Sequence, residues 1–453
     1  MFSNISRYTL FGMSVYLILA MISAGFAGFL FGVNTGNIAG ALPFIQQELK
    51  TSILQNECLV ASTILCAAFS ALISLRMSGK YGLRKVLLFT GFCFVLGPLI
   101  SGASNSFYVL LLGRMVLGFA VGISSYAAPL YISEIAPAQH RGFCVLLNGF
   151  AITSGEAVAF YINYYYSTSG EWRAMLEWSI FPAIIFLIGM SLIPSSPRWY
   201  IARDKLSEAL HILKTFHREN TAIILLNEMK TLQNYTSVSL RTLLSQKNCR
   251  IPLIIGVGLG VFQQFFGINT VMYYGPFIFE KAGFSLTSSA IWVTFIMGLF
   301  NILTTILTAC LVDIIGRRKL LLLGSFIACI SLLSIAYLFL GDINTLTSFY
   351  IVFLMMIYII GYCMSVGSLF WLMISEIFPL PMKGQGASIA TSIQWFSNFI
   401  VSLTFLSMLN TWGVSATFLF FSMICCGAIF FVYSLIPETK KLSLEQISIG
   451  IGS

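Results

Sequence analysis

The sequence predicts an all-α membrane protein with twelve transmembrane helices in two pseudo-symmetric six-helix halves. Three observations carry that expectation. Of 453 residues, 58% are apolar and 9% charged, against roughly 25% charged in a typical soluble domain. Apolar runs of spanning length, about 20 residues each, recur along the whole chain. The second half also repeats motifs of the first. This composition excludes a soluble enzyme, a disordered regulator and a secreted disulfide scaffold.

The runs fall near 10–33, 55–76, 86–104, 107–128, 143–166, 176–194, 252–279, 287–311, 319–340, 348–374, 386–408 and 412–436. The first is too long for a cleavable signal and lacks a small-residue cleavage site, so it reads as span one. The halves are 1–194 and 251–436, joined by a polar linker, 195–250, and followed by a short tail, 437–453. In the linker Leu206, Ala209, Leu210, Leu213 and Phe216 recur at helical spacing, and Ser195-Ser196-Pro197 has the form of a helix start. Short amphipathic helices follow from this pattern. They either lie on the membrane surface or pack against the ends of the spans.

The chain carries 25 basic and 16 acidic residues, a net charge of +9. Placed on loops that alternate sides, only Lys50, Arg173 and Lys281 fall outside, and Arg114 lies within a span. The other basic residues gather on one side, so the positive-inside rule puts both termini in the cytoplasm. The basic balance therefore reports topology and implies no nucleic acid. The ten cysteines are scattered and mostly intramembrane, as at Cys66, Cys93, Cys310 and Cys329. None has zinc-ligand spacing with a histidine, so no metal or cofactor is expected.

The repeat is explicit. Ile132-Ser133-Glu134-Ile135-Ala136-Pro137 returns as Ile374-Ser375-Glu376-Ile377-Phe378-Pro379, and Gly82-Leu83-Arg84-Lys85 returns as Gly316-Arg317-Arg318-Lys319. Pro194 and Pro437 end the two halves at nearly the same spacing. Repeated six-helix halves are a transporter architecture, with substrate held between them near the midplane.

Further segments specify the kind of transporter. Gly28-Phe29-Leu30-Phe31-Gly32, Gly113-Arg114, Pro197-Arg198-Trp199, Gln263-Gln264-Phe265-Phe266-Gly267-Ile268-Asn269, Asp313 with Gly316-Arg317-Arg318, and Pro437-Glu438-Thr439-Lys440 occur in order along nearly the whole chain. Together they resemble the sugar porter family of the major facilitator superfamily. The resemblance implies the major facilitator fold, alternating access and a small neutral sugar as substrate.

Gln263, Gln264 and Asn269 lie in span seven, where amides offer the paired donors and acceptors that sugar hydroxyls need. Interhelical hydrogen bonding is the alternative use of such residues. Asn301 in span eight is a similar case. Trp371 and Trp395 fall in spans ten and eleven, away from the interfacial belt, where an indole can stack on a sugar ring or simply pack. In the resemblance, the span-seven amides are sugar contacts.

Arg114 inside a span would cost about 2.5–3.5 kcal/mol at the membrane centre unless paired or hydrated. In proton-coupled relatives its partner resembles an aspartate in span one, but here Gly32-Val33-Asn34-Thr35-Gly36 carries Asn34, which takes up no proton. That matches facilitative members. A second departure points the other way. The family's sugar-binding glutamine after Leu147-Asn148 is absent, and Glu156 stands two turns on, where it could bond sugar, pair with Arg114 or carry a proton.

The resemblance also implies an inner gate built from Asp313, Arg317 and Arg318, with Glu134, Arg141, Glu376 and Lys383 completing its network. The first-half copy, Gly79 to Lys85, lacks the acid. Ser195 replaces a glutamate before Pro197, and Ser368 replaces the proline before Trp371, which puts the span-ten hinge in question. The sequence thus leads to a monosaccharide transporter, hexose or pentose, working by facilitated diffusion. The alternatives are a sugar/proton symporter using Glu156, a non-transporting sugar sensor and an organic-ion facilitator. It is expected to be no enzyme, to need no cofactor, and to reside in the plasma membrane as a monomer.

Overall fold

The computed structural model describes residues 9–10, 13–136, 141–216, 219–232, 247–284, 287–378 and 383–438. Apart from a two-residue pairing of Thr9–Leu10 with Met13–Ser14, the described chain is helical. Span one is Val15–Leu49, span two Ile53–Tyr81, span three Leu83–Gly102, span four Phe107–Ile135 and span five Arg141–Ser167. Span six runs Trp172–Leu192 with a break after Glu177. Span eight is Thr287–Ile315, span nine Arg317–Leu338, span eleven Lys383–Thr411 and span twelve Val414–Leu435. Spans seven and ten are each interrupted.

Among the described residues, eleven helices are long and apolar enough to cross a membrane. Span five, whose first seven side chains lie outside the described residues, has 27 residues and carries Asn148, Thr153, Ser154, Glu156 and Asn163. Span one is longer than its apolar run suggests. It starts at Val15 rather than residue 10 and continues to Leu49, because Asn34, Asn37 and their small neighbours are buried in contact with other helices. Hydropathy ends a span where polarity begins, whereas a helix ends where its packing ends.

By contact the chain divides into two compact units. One holds the residues up to Thr35, Cys66–Ala159 and Arg173–Tyr235; the other holds Gly36–Leu65, Phe160–Trp172 and the chain from Thr236. In the first unit span one crosses span five backbone to backbone. A Cβ on Gly32 would lie 1.9 Å from the Ile152 carbonyl oxygen, and one on Gly155 2.1 Å from that of Phe29. In lipid, where apolar burial does not drive association, close approach through small residues supplies the packing.

The linker helices are Pro197–Ile201, Leu206–Phe216 and Glu219–Leu232. Ser196 caps the first by accepting from Arg198 N, as the Ser-Ser-Pro pattern requires. The second buries Ala209, Ile212, Leu213 and Phe216. Phe216 stacks on Tyr16 of span one at 5.8 Å between ring centroids, and the Tyr16 hydroxyl donates to the Leu192 carbonyl. Of the two placements open from sequence, this helix takes the one packed against the ends of the spans.

Candidate substrate and coupling sites

Span seven is built from Lys247–Phe265, Ile268–Tyr273 and Gly275–Lys281 rather than one helix. The first break is at Gly267, whose φ of 89° favours glycine. A Cβ there would also lie 3.1 Å from the Phe421 ring. The amides bracket this break. Gln263 and Gln264 precede it, both nearly fully buried, and Asn269 follows. Asn269 Nδ2 donates to Gln264 Oε1 at 2.7 Å, spanning the turn. Gln263 Nε2 donates to the Gly367 carbonyl of span ten at 3.0 Å, while its Oε1 is buried without a hydrogen-bond partner. Gly267→Ala should therefore misplace Asn269 and lower sugar affinity while the protein still inserts. Unchanged affinity by titration calorimetry would count against a role for the break.

Span ten consists of Thr345–Tyr362, a π-helical turn Cys363–Gly367 and Ser368–Glu376. Asn301 of span eight is buried, and its Oδ1 accepts from Cys363 Sγ at 3.2 Å. Trp395 is buried, whereas Trp371 is 45% exposed beside the fully buried Phe370. The structure also brings in a residue the sequence reading passed over. Gln394 of span eleven is buried, its Oε1 has no partner, and a Cβ on Gly260 would lie 3.1 Å from its Cβ. Gly260 is one helical turn before Gln263 and Gln264, so Gln394 faces the same stretch of span seven. Its signal was present: an amide in an apolar run, next to Trp395.

The coupling candidates all lie in the first unit. Arg114 is 2% exposed and Glu156 6% exposed. Arg114 Nη1 donates to the Asn34 backbone carbonyl at 3.3 Å. Asn34 turns its own Nδ2 back to the Leu30 carbonyl at 2.7 Å, so this side chain is spent within its helix. A Cβ on Gly32 would lie 2.7 Å from the backbone nitrogen of Glu156, which sets Glu156 beside span one two residues before Asn34. Glu156 is thus the carboxyl group of this crossing.

At the Arg84 end of the first unit, the missing acid is replaced by backbone acceptors. Arg84 donates to the Met190 and Ser191 carbonyls, and Arg203 donates to those of Gly79 and Lys80 while lying 3.9 Å over the Trp199 ring. Glu134 accepts from the Ser196 hydroxyl, so the serine beside Ser195 takes up this carboxylate.

In the second unit Arg317 pairs with Glu376 at 3.1 Å. The side chains of Arg141, Asp313 and Lys383 lie outside the described residues. Glu438 does what the repeat did not reveal. Its carboxylate accepts from the backbone N–H groups of Arg317 and Arg318 at 2.9 and 3.2 Å, at the N-terminus of span nine, where partial positive charge favours an anion. Gly316, at φ 102°, admits it, since a Cβ would stand 2.7 Å from Glu438 Oε2. Glu438→Ala should cost about 0.5–2 kcal/mol, as loss of a helix cap does, read as a lower melting temperature in detergent. An unchanged melting temperature would remove this capping role.

At the Lys50 end, the second unit contains a clamp. Glu57 of span two is 0% exposed. Its Oε1 accepts from Ser407 N and its Oε2 from Ser407 Oγ of span eleven, both at 2.7 Å. Beside it Tyr164 and Tyr161 of span five contact Trp292 and Phe295 of span eight, with ring centroids 4.6 and 5.6 Å apart. Glu57→Ala removes both hydrogen bonds between spans two and eleven, a loss of roughly 1–3 kcal/mol, and should shift the protein toward conformers open at this end. Labelling of a cysteine introduced at Ser402 measures the shift; an unchanged rate would mean that the clamp carries no conformational weight.

Polytopic helices interrupted at buried amides fit the architecture of a membrane transporter. The profile of the family described as "Sugar (and other) transporter" matches residues 20–450. The chain is 38% identical over 427 residues to the galactose-proton symporter of Escherichia coli (strain K12), covering 94% of this chain and 92% of that one. It is 35% identical over 425 residues to the D-xylose transporter of Levilactobacillus brevis, covering 93% and 92%. To the arabinose-proton symporter of Escherichia coli (strain K12) it is 34% identical over 431 residues, covering 94% and 91%.

Solved structures agree. The partially occluded inward open conformation of the xylose transporter XylE from E. coli superposes with a TM-score of 0.82 at 26% identity, covering 94% of this chain and 99% of that one. The proton:xylose symporter XylE bound to 6-bromo-6-deoxy-D-glucose gives 0.79 at 27% identity, covering 96% and 98%. The chain belongs to the sugar transporter family of the major facilitator superfamily and is an integral membrane sugar transporter.

Proposed function

We propose that this protein carries a neutral monosaccharide by alternating access, coupled to protons through Glu156. The supporting observation is that Glu156, itself buried, crosses span one beside Gly32, two residues from Asn34, whose carbonyl accepts from the buried Arg114. The relatives named proton symporters support coupling, and Asn34 leaves the nearest position in span one without a titratable group. Facilitated diffusion is the second reading, favoured by that same Asn34. The sugar is held by the amides of Gln263, Gln264, Asn269, Asn301 and Gln394 with the indoles of Trp371 and Trp395. A buried amide oxygen with no protein donor, as at Gln263 and Gln394, is suited to accept from a sugar hydroxyl.

On this reading the halves 1–194 and 251–436 rock about the sugar, with both termini cytoplasmic and the protein a monomer in the plasma membrane. Arg317, Arg318, Glu376 and Glu134, with Arg141, Asp313 and Lys383, form the cytoplasmic gate. Uptake of labelled galactose, xylose and arabinose into proteoliposomes, with and without an imposed pH gradient, tests this. Uptake of none of them would remove the monosaccharide assignment. Uptake that ignores the pH gradient would leave facilitated diffusion.

A further inference from the structure

Span ten bends without a proline. Ser365 lies outside helical space at φ −107° and ψ −122° within the π-helical turn Cys363–Gly367, although the position before Trp371 at which the family carries proline is Ser368. Packing supplies the bend. A Cβ on Gly324 of span nine would lie 2.5 Å from the Gly361 carbonyl oxygen and 2.8 Å from Ser365 N, so the two backbones touch at the break. Such turns disturb the helical ladder and collect where function requires them.

Both ends of this turn are tied to amides of the candidate sugar site. At its last residue, the Gly367 carbonyl accepts from Gln263 Nε2 at 3.0 Å. At its first, Cys363 Sγ donates to Asn301 Oδ1 at 3.2 Å. A Gln side chain has three rotatable torsions and an Asn side chain two, and freezing them on binding costs affinity. Here that freezing is done beforehand. The Nε2 bond fixes the Gln263 amide with its Oε1 buried and unpartnered, and the thiol fixes one face of the Asn301 amide.

We propose that the π turn of span ten is the frame that positions the sugar-binding amides of spans seven and eight, and that Cys363 is a positioning residue acting on sugar affinity through Asn301. The inference rests on the amide site proposed above. Because one five-residue segment holds both amides, any rotation of span ten displaces them together. Linkage then runs both ways: sugar binding must favour the span-ten conformation that holds the amides, by as much as that conformation favours sugar. The bent span thus sets affinity through Cys363 without that residue touching the substrate. Thr305 Oγ1 lies 4.0 Å from Cys363 Sγ, so the surroundings already accept a polar neighbour and a serine hydroxyl fits at position 363.

The test uses the full chain in lipid nanodiscs, with galactose and xylose as probes. Binding is measured for Cys363→Ala, Cys363→Ser, Asn301→Ala and Gln263→Ala, and hydrogen exchange is followed across span ten with and without sugar. Cys363→Ala should weaken binding roughly three- to tenfold, the worth of one modest hydrogen bond, and Cys363→Ser, which keeps a donor, should restore most of it. In the wild type, sugar should slow exchange around Cys363–Gly367, and the alanine variant should lose part of that protection.

Wild-type affinity in Cys363→Ala, with the expected losses in Asn301→Ala and Gln263→Ala, overturns the positioning role and leaves the sugar site standing. Equal losses in the alanine and serine variants also overturn it, because the donor then does not matter. Wild-type affinity in both amide variants overturns the sugar site, and this inference with it. If Cys363→Ala does not fold, wild-type exchange in span ten that ignores sugar overturns the proposal.

Discussion

Glu156→Gln should abolish sugar accumulation driven by a proton gradient while sparing exchange of sugar across the membrane. Glutamine keeps the size and hydrogen-bonding capacity of a neutral glutamic acid, so the crossing with Gly32 and the neighbourhood of Arg114 stay intact. What it loses is a proton to release. A carrier fixed in its neutral form still alternates when loaded with sugar, and exchange proceeds. It no longer links that cycle to proton flow, and labelled sugar settles at equal concentrations on both sides. One pH unit is worth about 1.4 kcal/mol per proton, which sets the wild-type ceiling near tenfold accumulation for one proton per sugar. The measurement is the steady-state ratio in proteoliposomes. Accumulation by the variant at wild-type levels would place the proton elsewhere, and a wild type that never exceeds equal concentrations would establish facilitated diffusion.

Much of this architecture was legible in the sequence because apolar runs and repeated motifs record burial in lipid directly. Ser196-Pro197, the linker stripe ending at Phe216 and the span-seven amides were all readable as local patterns. What escaped was set by partners distant in sequence. Gly267 sits among apolar residues, so hydropathy reads through the break that its positive φ makes. The bend in span ten comes from Gly324 and Gly361, and the loss of the proline therefore misled. Glu57 is a lone acid in an apolar run until Ser407, 350 residues on, supplies its two donors. Glu438 belonged to a recognised motif, but its task at the N-terminus of span nine appears only when the chain folds back onto Gly316.

Gln263→Ala should raise the dissociation constant for sugar by roughly 5- to 150-fold, corresponding to a loss of about 1–3 kcal/mol when a buried hydroxyl is left without its partner. The size of the effect follows from how the amide is used. Its Nε2 already holds the Gly367 carbonyl, and its buried Oε1 has no protein donor, which leaves that oxygen to accept from a sugar hydroxyl. Truncation removes that acceptor and also releases Gly367. Gln264 differs, since its Oε1 is taken by Asn269 Nδ2; Gln264→Ala acts by loosening the turn at Gly267 and should cost less. Gln394, with a buried spare oxygen of its own, should behave like Gln263. Titration of the purified variants with the sugar that the wild type takes up gives the ranking. Affinity unchanged in both Gln263→Ala and Gln394→Ala would mean that these amides serve only to join helices, and that the sugar binds elsewhere.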